Sequence, residues 1–429
     1  MDSRKYRATE ILTQRHGDQY VFGLGCMKQL AARVSTLPSP VAVVISGMGS
    51  DWAGPLHDQV RRQLDKARID TAGEWIGGAG PNSPIEDVQR LADEFTDRKP
   101  AAVLSIGGGS GIDAVKAAMA VSTLRGLRDL QDLLGSGQVS ASMEAAGKTL
   151  PKLMAVQLAA SSASHLTKYA NVTDVDAGQK MLIIDTAVVP DLAMFDYAHT
   201  TTMSPSFTRD GGLDGFSHCW EVLMGATGRT LEDVREISLL GIELIVCHLQ
   251  RAVADGDDLS AREAVGLGTD LGGEAIMIGG TNGGHLTSFS LVDLLPHGRA
   301  CALMNPYYTV LFAEAIEEKL RDLAGVLGRC GVLKKPVEQL SGRDLGEAVA
   351  RAMIRFSESI GFPTTLEQVE GFDHSYIGRA LAAAKNPKLA SKLQNMPIPM
   401  TCEQVDTHMA SVLEAAVDGD LGKIRSMQA

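Results

Sequence analysis

Ala101-Ala102-Val103-Leu104-Ser105-Ile106 runs directly into Gly107-Gly108-Gly109-Ser110-Gly111-Ile112-Asp113-Ala114-Val115-Lys116. The first part is an almost continuous apolar run of strand length, the pattern of a strand covered on both faces in a parallel sheet. The last part has the spacing of a helix. Between them, the glycines let backbone approach a pyrophosphate, and the N–H groups that open a helix bind its oxygens. Gly108, Gly109 and Ser110 are therefore candidate cofactor contacts. Asp113, in the first helical turn, is placed to complement the helix dipole. The loop is not GxGxxG and it sits in the third strand–helix unit, so it is not the usual Rossmann fingerprint.

Working outward, the same alternation repeats. Val41–Ser46 reads as a buried strand, Gly47-Met48-Gly49-Ser50 as its turn, and residues 52–67 as a helix carrying Leu56, Val60 and Leu64. Thr71–Ile76 and Ile85–Phe95 form the next expected strand–helix unit. Tyr20–Gly25 is an entry strand, with a helix from Met27 to Val34. Downstream, Leu153–Val156 and Pro190–Phe195 are expected strands, and Tyr169–Thr173 with Lys180–Ile184 an expected hairpin. Strands alternating with helices predict a doubly wound α/β sheet with its ligand at the carboxyl ends of the strands. After about residue 198 strand signals vanish. Helical patterns follow at 206–226, 229–254, 260–278, 298–315, 317–330, 344–360, 376–386 and 403–417. The expected organisation is an α/β nucleotide-binding domain over 1–198 and an all-α domain over 199–429, with the boundary near Tyr197–Ser204.

Composition sets the class. At 429 residues, two domains are the default; 45% of residues are hydrophobic and 21% charged, which is ordinary for a soluble enzyme. The net charge of −12 opposes nucleic-acid binding. No apolar run of membrane-spanning length and no signal sequence is evident, so no membrane partner and a cytoplasmic location are expected. The six cysteines lack CxxC spacing and are expected to be reduced, mostly buried thiols.

The helical half carries the chemistry. Asp214 and His218 are four apart and share one helix face. His285 follows, and His297 sits in Pro296-His297-Gly298 ahead of a helix. One carboxylate and three imidazoles suit Fe²⁺ or Zn²⁺ and leave positions open for substrate. At the end of the first strand of the nucleotide half, an Asp or Glu would hydrogen-bond an adenosine ribose and repel a 2′-phosphate. Gly47, Gly49 and Ser50 stand there instead, which leans toward NADP, although Asp51 is next in line.

These segments together resemble the iron-containing (group III) alcohol dehydrogenase family, related to glycerol dehydrogenase and dehydroquinate synthase. Gly107–Lys116 is similar to its GGGSxxDxxK loop, and the segment beginning at Val156 to its PTTxGTGSE stretch. Gly212–His218 resembles GxDAxxH, Gly284-His285 and Pro296-His297-Gly298 its two later metal histidines, and Asn395–Ile398 its NPR segment. The resemblance implies an NAD(P)-dependent dehydrogenase or aldehyde reductase acting on a small alcohol or aldehyde, as a homo-oligomer. It implies Fe²⁺ or Zn²⁺ on Asp214, His218, His285 and His297, a cofactor contact at Ser162 beside Ser161, and Lys180 near the adenosine ribose. Three departures stand out. Leu158 and Ala159 replace hydroxyl residues, His165 replaces a glutamate, and Phe289 occupies the place where many members carry a proton-relaying histidine. Phe289 is thus expected to shape the catalytic pocket, with His165 and His199 as other conceivable proton carriers. A lyase of the dehydroquinate synthase type would need basic residues for a polyanionic substrate, and Leu286–Ser290 supplies none. A non-catalytic relative would be expected to lack a metal ligand.

Overall fold

The computed structural model describes residues 2–427. Contacts divide it into two compact units, Leu12–Thr202 and, in the other, the chain up to Ile11 together with everything from Met203 onward.

The first unit opens within α1 (Ser3–His16) and continues through β1 (Tyr20–Phe22), α2 (Leu30–Val34), β2 (Val41–Ile45), α3 (Gly54–Lys66), β3 (Ile76–Gly77), α4 (Ile85–Arg98), β4 (Ala102–Gly107) and α5 (Gly109–Thr123). There follow α6 (Leu130–Leu133), β5 (Gly135–Ser136), α7 (Gln138–Ala146), β6 (Lys152–Gln157), β7 (Tyr169–Asp174), β8 (Gln179–Ile184) and β9 (Leu192–Phe195). Six strands make one parallel sheet in the order β1-β9-β6-β4-β2-β3. Side chains alternate between its two faces, as the pleat requires. Ala42, Val44 and Val103 enter a core with α4 and α5, whereas Val41, Val43, Ile45, Ala102, Leu104 and Ile106 enter a core with α2 and α3. From β2 the chain moves outward to β3, then crosses to β4 on the other side. β2 and β4 therefore flank the switch point, where open α/β sheets bind ligands at the strands' carboxyl ends. Gly47 lies in the turn just after β2, and Gly107 ends β4.

Some local expectations need correction. Thr71–Ile76 is not a strand: Gly73 takes φ +81°, only Thr71 bridges Val41, and regular pairing is confined to Ile76–Gly77. The expected hairpin forms, but β7 and β8 join β5 in a separate three-stranded sheet. The helix α1 gave no clear signal because its apolar stripe is only Ala8, Ile11 and Leu12 in a charged segment.

The second unit is helical: α8 (Pro205–Gly225), α9 (Gly228–Ala254), α10 (Leu259–Ile278), α11 (Gly283–Ser288), α12 (His297–Leu311), α13 (Glu317–Arg329), α14 (Gly342–Ser359), α15 (Ser375–Ala384) and α16 (Ala390–Gln394), then α17 (Cys402–Gln404) and α18 (Ala410–Asp418). The start of α1 belongs here, where Lys5 Nζ donates to the Ser260 carbonyl at 2.7 Å and pairs with Glu263 at 2.8 Å. By length and composition α9 could cross a membrane, but it packs against α8 and α10 and buries Val234, Ile237, Ile242 and Leu249 among them. The thiol expectation fails at one pair. Cys247 on α9 and Cys330 at the end of α13 form a disulfide, because helix packing brings their α-carbons to 5.1 Å. Cys26, Cys219, Cys301 and Cys402 form no disulfide.

Candidate metal centre

Three helices deliver the four residues singled out in the helical half. Ser204 caps α8 by accepting from the Phe207 N–H, and Pro205 occupies the first turn, where a missing N–H costs nothing. Ten residues in, Asp214 and His218 face the same way, with Asp214 Oδ1 3.8 Å from His218 Nε2. Asn282 caps the short α11, which presents His285 with its Nε2 3.9 Å from the same Asp214 oxygen. His297 opens α12. The His218 and His285 rings stack at 4.8 Å, and the His285 and His297 centroids are 5.1 Å apart. Close helix approach explains Pro-His-Gly: a Cβ on Gly298 would lie 2.4 Å from the Asp210 carbonyl and 2.8 Å from Asp214 Cβ. Arg299, next in sequence, clasps Asp210 with two bonds of 2.9 and 3.0 Å and ties α12 to α8.

Hydrogen bonds set the imidazole tautomers. Glu221, fully buried on α8, accepts from His285 Nδ1 at 2.8 Å and from the Asn282 N–H at 2.7 Å. The carboxylate can only accept here, so the proton is on Nδ1 and the Nε2 lone pair points inward. Burial alone would raise the Glu221 carboxyl, but His285, the Asn282 N–H and Lys392 hold it below the usual range. The Ser288 hydroxyl donates its one proton to the His285 carbonyl at 2.7 Å, so at 3.1 Å it must accept from His297 Nδ1. That again leaves Nε2 without a proton. His218 is kept neutral because burial lowers it to about 4.

The arrangement fits a divalent cation. Among the described residues, His285 Nε2 is buried with no hydrogen-bond partner, a costly condition unless a ligand satisfies such an atom; on His218 the unpartnered nitrogen is Nδ1, not the Nε2 that lies 3.8 Å from Asp214. Donors bound at about 2.0–2.2 Å to one ion can stand at most about 4.4 Å apart, and the Asp214–histidine separations of 3.8 and 3.9 Å lie within that span.

Other residues here carried little sequence signal. Glu221 lies three positions after His218, and Cys301 four after His297, so helical spacing alone would have put both on the right faces. Lys392, on α16, had no local signal. It is buried, donates to Thr281 Oγ1, and lies 5.7 Å over the Phe289 ring. Burial lowers it to about 8, against the opposing influence of Glu221 and Cys301. Phe289 is 1% exposed and 6.1 Å from His297 by ring centroids, an apolar wall beside the cluster. Asn395 packs onto Gly225 and Gly280 and donates to the Thr281 carbonyl.

In the α/β unit, Gly108 is the N-cap of α5, and a Cβ on Gly109 would fall 2.2 Å from Ser162 Oγ. The segment after β6, with Ser161 and Ser162, thus touches the glycine turn after β4. The polar residues expected at the cofactor are mostly engaged by the protein. Ser110 Oγ accepts from the Asn82 N–H at 3.0 Å, and Lys180 Nζ lies 3.4 Å from Asn82 Oδ1. Asp113 is buried and takes the Ser164 hydroxyl and both the backbone and side-chain N–H groups of Asn171. Lys116 donates to the carbonyls of Ser164, Thr167 and Tyr169. Gly47, at φ +77°, has a second reason to be glycine, since a Cβ there would meet the Trp52 ring at 2.5 Å. Gly49 also has positive φ, and Ser50 follows in extended backbone. His165 is an interior aromatic, bonded to Tyr20 Oη at 3.1 Å and edge-on to Phe195, and burial holds it well below its ordinary range. His199 lies in the turn Tyr197–Thr202.

Comparison with known proteins agrees over nearly the whole chain. The family described as iron-containing alcohol dehydrogenase matches residues 17–197, and its C-terminal counterpart matches residues 208–413. The NAD-dependent methanol dehydrogenase of Bacillus methanolicus is 26% identical over 349 residues, 80% of this chain and 86% of that protein. The 1,3-propanediol dehydrogenase of Citrobacter freundii is 26% identical over 354 residues, 81% and 86% of the two chains. Among solved structures, an alcohol dehydrogenase from Oenococcus oeni superposes with a TM-score of 0.79 at 23% identity, covering 92% of this chain and 97% of its own.

Proposed function

The chain belongs to the iron-containing alcohol dehydrogenase family, and from that premise we propose that it transfers hydride between NAD(P)(H) and a small alcohol or aldehyde at one Fe²⁺ or Zn²⁺ held by Asp214, His218, His285 and His297. The observation that carries this reading is the buried His285 Nε2, presented by Glu221 with no protein partner, 3.9 Å from Asp214 Oδ1. When bound, the ion would supply Lewis acidity toward a substrate oxygen, and the nicotinamide would supply the hydride acceptor or donor.

The chain's own groups do the rest. Glu221 and Ser288 hold His285 and His297 in the ligating tautomer, a role that outer partners of metal-bound histidines commonly serve. Phe289 keeps water from one side of the cluster and carries no exchangeable proton. A small, uncharged substrate matches that apolar wall. The backbone N–H groups opening α5 at Gly108, Gly109 and Ser110 receive the pyrophosphate, with Ser161 and Ser162 alongside. Asp113 holds the loop in place, and Lys180 serves the adenosine side. The absence of an acid at Gly47, with Gly49 and the Ser50 hydroxyl following, favours NADP. The Trp52 packing supplies an independent reason for Gly47, so that preference rests chiefly on Ser50.

The deciding experiment compares NADH with NADPH over a panel of short aldehydes and diols, before and after metal removal. Turnover that vanishes on chelation and returns with Fe²⁺ or Zn²⁺ is expected. A purified chain that binds neither ion and turns over no substrate would sink the proposal.

A further inference from the structure

Cys301 stands one helical turn after His297 on α12 and is fully buried. Its Sγ lies 3.9 Å from both ring nitrogens of His297. One donor atom each from Asp214, His285, His297 and Cys301 lie within 4.8 Å of one another. Bonds of about 2.3 Å to sulfur and 2.0–2.1 Å to nitrogen put two donors on one ion roughly 3.5–4 Å apart, so the Cys301–His297 spacing already suits a shared cation. The unpartnered His285 Nε2, buried in the same cluster, points independently to a ligand there.

We propose that Cys301 is a further donor to this centre, so that the ion meets a thiolate as well as a carboxylate and imidazoles. The inference rests on the metal reading above and deepens it. On binding, the S–H proton leaves to solvent as the sulfur–metal bond forms, and nothing is oxidised or reduced. Asp214 and Cys301 then carry two negative charges against a divalent cation and three neutral imidazoles, a neutral assembly suited to a buried site. Thiolate is a soft ligand, so the set favours Zn²⁺ and its spectroscopic substitute Co²⁺ over Fe²⁺, beyond what an Asp-and-histidine set would do. Cys219 makes an internal contrast. It adjoins His218 in sequence and is equally buried, yet its Sγ packs toward Gly241.

The test uses the full chain, stripped of metal and reloaded with Co²⁺ alone. One Co²⁺ per chain and an intense sulfur-to-cobalt charge-transfer band in the near ultraviolet are expected. Cys301→Ser should keep the cobalt and its weak visible bands but lose the charge-transfer band. Cys219→Ser and Cys402→Ser should retain it. Stoichiometric cobalt without the band in the unaltered chain, or a band that survives Cys301→Ser, would overturn the role of Cys301 and leave the four-ligand reading standing. Failure of the unaltered chain to bind cobalt at all would overturn both.

Discussion

The glycine loop of the α/β unit and the histidine cluster of the helical unit both place polar groups in buried surroundings, but they differ in what satisfies them. Around the loop, the protein satisfies its charged groups and Ser110, with only the Gln157 and Asn171 amide oxygens left over: Asp113 has Ser164 and Asn171, Lys116 has three carbonyls, and Ser110 has Asn82. In the cluster, His285 Nε2 has no hydrogen-bond partner among the described residues, while Glu221 behind it is engaged. A saturated polar network shapes backbone for a ligand that binds to backbone. An unsaturated one is reserved for a ligand that binds side chains. The contrast separates residues that build a site from residues that touch its occupant.

Breaking the reserved side should have the largest consequence. His297→Ala is expected to lower metal-dependent turnover on the order of 10³-fold, since an ion's Lewis acidity is worth several kcal/mol. Far-ultraviolet circular dichroism should stay unchanged, and equal turnover in the variant would refute the centre. A covalent feature of the same helical unit provides the counterweight. The Cys247–Cys330 disulfide closes a separation of 83 residues, so Cys247→Ser should cost about 4 kcal/mol in chemical denaturation. It should leave bound metal unaltered, because neither sulfur belongs to the cluster. Glu221→Gln tests the groups behind the ligands. Metal affinity should fall roughly 10- to 100-fold, read by competition with a chromophoric chelator, and an unchanged affinity would mean that Glu221 serves packing only.

On the saturated side the effects are smaller. Gly109→Ala forces a Cβ toward Ser162 Oγ, with an expected loss of about 1–3 kcal/mol in dinucleotide binding, measured by titration calorimetry. Metal content should not change. A further effect is electrostatic and spread over a pH window. Burial lowers Lys116 to about 8 from 10.5. Between those values the unfolded chain binds more protons than the folded one, so stability rises with pH over that window and the contribution is flat below it. Lys116→Met should flatten the rise by up to about 1.4 kcal/mol per pH unit. A slope identical to the parent's would show that the three carbonyls keep Lys116 charged throughout.

Much of this was legible in the residues. The apolar run Val41–Ser46 and the sequence Ala101–Lys116 announce parallel strands with glycine turns, and their period-two burial follows from the pleat. Asp214 with His218 needs only helical spacing. Not legible were the break at Gly73, which depends on one positive φ, and the sparse apolar stripe of α1. The Cys247–Cys330 pair could not be read either, because nothing in 83 intervening residues fixes which helices meet.

Sequence by itself determined the elements, the alternation that makes one half a parallel sheet, and the four residues expected at the ion, because these depend on short-range periodicity and residue chemistry. Tertiary structure alone decided which nitrogen of His285 and of His297 carries the proton, that Glu221 and Ser288 impose this, that Cys301 lies within the cluster, and that a buried ammonium from Lys392 lies over Phe289. Each depends on distances of a few ångströms between segments far apart in the chain, and those distances are set by how the helices pack.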